Sequence, residues 1–123
     1  MNSLIVEIFF KKHKFSIFSG HNGDVLDLAW GPGDVVLATA SVDNNIIIWN
    51  AERMPEQITI LRGHTSLVKG VFFDPVGKYL ASQSDDKTMR VWKTSDWSLE
   101  AVVDAPFQES GKDNFSTIQR SFY

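Results

Sequence analysis

The chain has 123 residues, room for one ordinary domain, and its 43% hydrophobic and 22% charged content is globular rather than disordered. It contains no cysteine, which excludes disulfides and thiolate metal sites and fits a reducing compartment. The net charge is -3, and from Gly20 onward 9 basic side chains stand against 14 acidic ones, the wrong sign for a duplex-binding footprint.

At the N-terminus, residues 4–10 are apolar apart from Glu7. No basic region precedes them and no small-residue cleavage pattern follows, so they do not read as a signal peptide. Nor does any apolar run approach the roughly 20 residues that span a bilayer, and the chain reads as soluble and intracellular. His13 lies between Lys12 and Lys14 with no partner ligands at metal-binding spacing, so a solvated basic segment is expected there. Residues 15–18 read as the outer strand of a preceding sheet unit whose other three strands are absent, leaving residues 1–14 as a divergent segment.

From Gly20 the sequence repeats itself. Written above residues 63–93, residues 20–50 match at His21 and His64, Val25 and Val68, Trp30 and Phe73, and Pro32 and Pro75. The match continues at Leu37-Ala38 and Leu80-Ala81, Ser41 and Ser84, Asp43 and Asp86, and Trp49 and Trp92. Every pair is separated by 43 residues without a gap. A Gly-His start and a Trp end at that period mark a four-stranded propeller blade. The expected strands of the first repeat (about 20–61) are Val25–Trp30, Val36–Ser41, 46–49 and 58–61. Those of the second (about 63–103) are Val68–Phe73, Tyr79–Ser84, 89–92 and 99–103, with Pro, Gly, Asp and Asn turns between them. Two repeats with the preceding outer strand thus occupy residues 15–103. Residues 104–116 form a polar loop without periodicity, expected on the rim, and 117–122 resemble the first strand of a further blade at 117–123. The fold class is an all-β WD-repeat β-propeller fragment, two complete four-stranded blades plus flanking strands. Two blades cannot close a ring, so sheet edges and blade faces stay open.

Each repeat carries His, Ser, Asp and Trp at fixed offsets: His21, Ser41, Asp43 and Trp49, then His64, Ser84, Asp86 and Trp92. A hydrolase triad could be drawn from Ser, His and Asp. Duplication at identical spacing, and serines on strands rather than on a strained nucleophile elbow, favour a structural chain running from Asp to His to Ser to the indole N–H. The set therefore gives no catalytic residue. Asp85-Asp86 lacks the carboxylate ladder of a calcium loop, and no metal or cofactor site is expected.

Beside this repeated scaffold stand residues that differ between repeats on one rim. They are Asn22, Asp24, Leu26 and Val42 in the first repeat and Ser66, Leu67, Lys69 and Asp85 in the second. Scaffold identity beside rim divergence is what a repeat module with a chosen partner should show. Leu67 and Val42, expected to be exposed beside carboxylates, would meet a basic-and-apolar partner segment.

The strings HNGDVLDLAW, SVDNNIIIWNA and LRGHTSLVKGVFFDPVGKYLASQSDDKTMRVWKTSDWSLE go beyond the generic repeat, and so does the Pro106-Phe107 pair. On these, from about Phe15 to Glu100, the sequence resembles the HIRA-type histone chaperones (histone regulators). The resemblance implies a seven-bladed propeller in a nuclear protein. Such a protein deposits histones independently of replication and represses histone-gene transcription. It also implies protein partners, a ubinuclein-type subunit and a chaperone complex carrying histones; the charge, the apolar runs and the duplicated polar sets add the expectation of no sequence-specific nucleic acid, no membrane, no cofactor and no enzymatic activity. Trp49-Asn50 and Trp92-Lys93 stand where the generic repeat has its Trp-Asp pair. The alternative is a WD-repeat adaptor of another pathway, such as replication-coupled chromatin assembly or a ubiquitin ligase scaffold.

Overall fold

The computed structural model describes residues 3–10, 14–52 and 56–104, and side chains from Phe18 onward within them. The polar loop and the further strand expected beyond residue 104, together with His13, lie outside the described residues.

Among the described residues, ten strands form three antiparallel sheets. The first sheet pairs β1 (Ser3–Phe10) with β2 (Lys14–Ser19). This revises the expectation that residues 15–18 have no strand beside them. The apolar run that failed as a signal peptide is long enough to supply one, and it satisfies the backbone groups of β2.

The first blade is β3 (Val25–Trp30), β4 (Val36–Ser41), β5 (Ile46–Asn50) and β6 (Glu56–Leu61), hydrogen-bonded in that order. The second is β7 (Val68–Phe73), β8 (Tyr79–Ser84), β9 (Thr88–Lys93) and β10 (Leu99–Asp104), with the same connectivity. The small and apolar β4, Val-Leu-Ala-Thr-Ala-Ser, is buried on both faces past its first residue because it lies between two strands and under two sheets. β10 is exposed throughout, as the outermost strand of its blade.

The turns account for the backbone outliers. Gly33 and Asp34 (φ 89° and 57°) reverse the chain between β3 and β4, and Gly77 (φ 84°) does so between β7 and β8. Between β4 and β5, and again between β8 and β9, a residue in the left-handed region closes the turn. Asn44 (φ 75°) donates its N–H to the Ser41 carbonyl, and Lys87 (φ 71°) to that of Ser84.

Alternation then sorts the core. One face of the first blade presents Ala38, Ala40, Ile46, Ile48 and Leu61 to Val71, Phe73, Leu80 and Trp92 of the second, and these nine buried residues together with Val68 form the seam between blades. The other face of the first blade, with Leu37, Ile47 and Trp49, is covered by Phe18 of β2, whose ring meets Trp49 edge-on at 5.2 Å. The far face of the second blade carries a smaller cluster, Phe72, Ala81 and Met89, with Val103 exposed on the strand beside it.

Candidate functional site

The end of the blades where β6 leads into β7, here the upper rim, is built on a hydrogen-bonded chain repeated in both blades. The carboxylate of Asp43 can only accept, so His21 donates Nδ1–H to it (2.9 Å) and keeps a lone pair on Nε2. That lone pair accepts from the hydroxyl of Thr39 (2.7 Å), whose oxygen accepts the indole N–H of Trp49 (2.9 Å). The second blade repeats the arrangement with Asp86, His64, Ser82 and Trp92 at 2.9, 2.8 and 3.1 Å.

The hydroxyl in the chain is therefore Thr39 or Ser82, and the assignment of Ser41 and Ser84 to that position is corrected. Register explains the difference. Trp49 pairs with Leu37, so Thr39 is two residues along the same face and Ser41 is four, beyond the reach of the indole at about 3.3 Å per residue. Ser41 and Ser84 serve the turn instead, their Oγ atoms accepting the N–H of Asp43 and Asp86 at 3.1 and 3.0 Å. The four hydroxyl-bearing residues are all buried, none more than 3% exposed.

The Gly-His glycine has a packing reason. A Cβ on Gly20 would come within 3.1 Å of Ile47 and 3.2 Å of Trp49, and on Gly63 within 2.6 Å of the Arg90 guanidinium. The loop thus lies flat over residues 47 and 90 and delivers each imidazole to its carboxylate.

Electrostatics follow. Burial raises the Asp86 carboxyl, but the Thr88 hydroxyl, His64 and the N–H groups of Thr65 and Thr88 outweigh it and hold the pKa at about 2. Asp43 is likewise lowered: burial opposes ionisation, and the N–H of Asn22, His21 and the N–H of Asn45 overcome it. For His64 burial wins, pushing the imidazole below its ordinary value despite Asp86, with Arg90 adding to the effect. A neutral His64 matches the donor on Nδ1 and acceptor on Nε2 that the chain requires. Among the described residues no group of three His, Asp or Glu side chains is arranged to hold a metal ion.

This scaffold fixes the rim residues in place. Val42 donates its N–H to the Asp24 carbonyl, and Asp85 to the Leu67 carbonyl, both at 3.0 Å. The loop between blades is thereby tied to the turn at two neighbouring places. Leu26 and Lys69 are each the extra residue of a β-bulge, which turns them outward. Asn22, Asp24, Leu26, Val42, Lys69 and Asp85 are exposed, and Ser66 is half-buried. Leu67 is half-buried rather than exposed as expected, since the bond from Asp85 holds it against the turn. Lys69 and Asp85 form an ion pair at 2.7 Å that neutralises part of the second repeat's rim. Sequence reasoning missed this pair, though the register of the β7–β8 hairpin brings Lys69 on β7 beside Asp85, which lies just past the end of β8.

A fold of four-stranded blades, each fastened by an Asp-His-hydroxyl-Trp chain, defines a class, and the comparison with known proteins agrees. The WD domain, G-beta repeat family matches residues 12–50 and 55–93, and the chain belongs to that family. Within it the chain is similar to proteins named HIR1. It is 46% identical over 97 residues to the one from Mycosarcoma maydis, covering 79% of this chain and 9% of the relative. It is 46% identical over 96 residues to that of Cryptococcus neoformans, with 78% and 11% covered. The Schizosaccharomyces pombe protein is 41% identical over 91 residues, with 74% and 10% covered. The HIRA-type resemblance read from the sequence is borne out by these relatives. The chain spans about a tenth of the length of the curated relatives it matches.

Proposed function

We propose that this chain is the protein-interaction part of a HIRA-type histone chaperone, non-catalytic and nuclear, serving replication-independent nucleosome assembly and repression of histone-gene transcription. Its upper rim takes a basic-and-apolar segment of a ubinuclein-type subunit. The observation that carries this reading is the contrast between two scaffolds that share the same Asp-His-hydroxyl-Trp chain and the different side chains they hold out. The first repeat offers Val42 and Leu26 beside Asp24, and the second offers Leu67 beside the Lys69–Asp85 pair. Apolar anchors among carboxylates suit a segment whose apolar side chains supply affinity and whose cations supply orientation.

The test is affinity purification from nuclear extract with the parent chain and a Val42→Asp, Asp85→Lys variant. Recovery of a ubinuclein-type subunit by the parent and its loss in the variant supports the reading. Recovery of replication or ubiquitin-ligase components instead favours an adaptor of another pathway.

A further inference from the structure

The opposite, lower rim holds a feature that the reading above does not use. A cavity of about 240 Å3 opens across the seam between the blades, walled by Pro32 and Val36 of the first blade and by Phe73, Val76 and Trp97 of the second. Its sides are tied together. Gly77 lies so close to Pro32 that a Cβ there would meet the proline ring at 3.1 Å, and the Thr94 hydroxyl donates to the Gly77 carbonyl at 2.5 Å.

Trp97 stands out within it. Its φ of 61° lies in the left-handed region, which is costly for any residue with a Cβ and usually left to Gly or Asn. The turn holds it there through its N–H to the Lys93 carbonyl (2.8 Å) and the Lys93 N–H to the Ser98 carbonyl (2.9 Å). The result is an indole set edge-on to Phe73 at 6.5 Å, half-buried along the cavity wall. At the lip, Val76 is 73% exposed, the most exposed large apolar side chain among the described residues. A backbone held in an unfavourable conformation to present an aromatic ring is a feature that binding sites retain.

The charge around the cavity selects the occupant. The turns that form it and the strand ends beside them, residues 31–36, 74–78 and 93–100, carry Asp34, Asp74, Asp96 and Glu100 against Lys78 and Lys93, a balance of -2. Lys93 is itself engaged by Glu100 at 3.7 Å. An anionic surface around an aromatic, apolar cavity repels nucleic acid and anionic lipid alike, and attracts a cationic peptide. We infer that this lower cavity is a second docking site, for a partner-protein segment in which one apolar or aromatic side chain is flanked by Lys or Arg. The apolar side chain enters between Trp97 and Pro32, and the flanking cations lie over the carboxylates of the turns. Because both blades wall the cavity, the segment also bridges the seam.

The probe is an array of ten-residue peptides with a central Leu, Met, Phe or Trp between pairs of Lys or Arg. Matched peptides have Ser at the centre or Glu in the flanks. Fluorescence anisotropy measures their binding to the whole chain. Basic-flanked apolar peptides bind at least tenfold more tightly than either control, and added salt weakens them. Val76→Asp reduces binding at least tenfold without lowering the melting temperature, and Trp97→Asn, which retains a residue suited to the turn, reduces it at least tenfold at a temperature where the variant is folded. Measured in a Val42→Asp background, which removes the upper rim's contribution, Val76→Asp still reduces binding at least tenfold, which separates this site from the upper one. Equal binding of the control peptides, binding by none, or full binding by both cavity variants would overturn the inference.

Discussion

Across the seam between blades, the carboxylate of Asp27 on β3 accepts the backbone N–H of Val71 on β7 at 3.0 Å. Asp27 is set beside this position by the bulge at Leu26, and its counterpart in the second repeat is Gly70. The bond gives the apolar seam a fixed register, where hydrophobic packing alone would tolerate sliding. Asp27→Ala leaves the Val71 N–H unpaired and is expected to cost about 1–3 kcal/mol, with Asp27→Asn costing less. Urea unfolding checks this; an unchanged midpoint for Asp27→Ala would show that the bond does not fasten the blades.

The hydroxyl correction is open to mutation. Thr39→Ala or Ser82→Ala strips a buried imidazole and a buried indole of their shared partner, a loss of about 2–3 kcal/mol. Thr39→Ser, the residue the second blade uses, should be nearly neutral. Ser41→Ala loosens only a turn and should cost less than Thr39→Ala. Thermal melts that rank Ser41→Ala as the more damaging would return the serine to the chain.

Trp92 is 4% exposed in the seam, so Trp92→Ala both opens a cavity and strips the Ser82 hydroxyl of one of its two partners, with an expected loss of about 3–5 kcal/mol. Lys87 offers the opposite case. It is exposed at φ 71°, where the first repeat has Asn44, and Lys87→Asn should raise stability by about 0.5–1 kcal/mol by relieving the turn. Denaturant titration of both variants in parallel measures the contrast, and a Lys87→Asn chain less stable than the parent would remove the turn argument.

Acid should destabilise the blades in two stages. The folded pKa of His64 lies below its ordinary 6.5, so the unfolded chain binds the extra proton first, and stability falls as pH drops below about 6.5. Asp43 is lowered from 3.8 and Asp86 reaches about 2, so a second loss sets in below about pH 4 and runs toward pH 2. For Asp86 the loss is on the order of 2 kcal/mol. Asp86→Asn, less stable at pH 7, should show a shallower second stage. Stability that rises between pH 6 and pH 3 would contradict these signs.

Much of this was legible in the residues. A 43-residue period with Gly-His and Trp markers is enough to locate eight strands, because blades reuse one alternation and one set of turns. The buried chain was legible in three of its four members. Its hydroxyl was not, because Thr39 and Ser82 differ in identity while sharing a function, and the serines that are identical, Ser41 and Ser84, drew the assignment. The strand at Ser3–Phe10 was missed because it lies outside the repeat. Asp27 and the lower cavity depend on how one blade sits on the next, which no period within a blade records.

In the proposed function, the upper rim binds a partner through side chains that the repeated scaffold holds in place. Isothermal titration of a ubinuclein-type subunit tests it most directly, with the parent chain and the Val42→Asp, Asp85→Lys variant compared at matched melting temperature. At least a tenfold loss of affinity is expected in the variant, with Val76→Asp on the lower rim unaffected. Equal affinity for parent and upper-rim variant would contradict it.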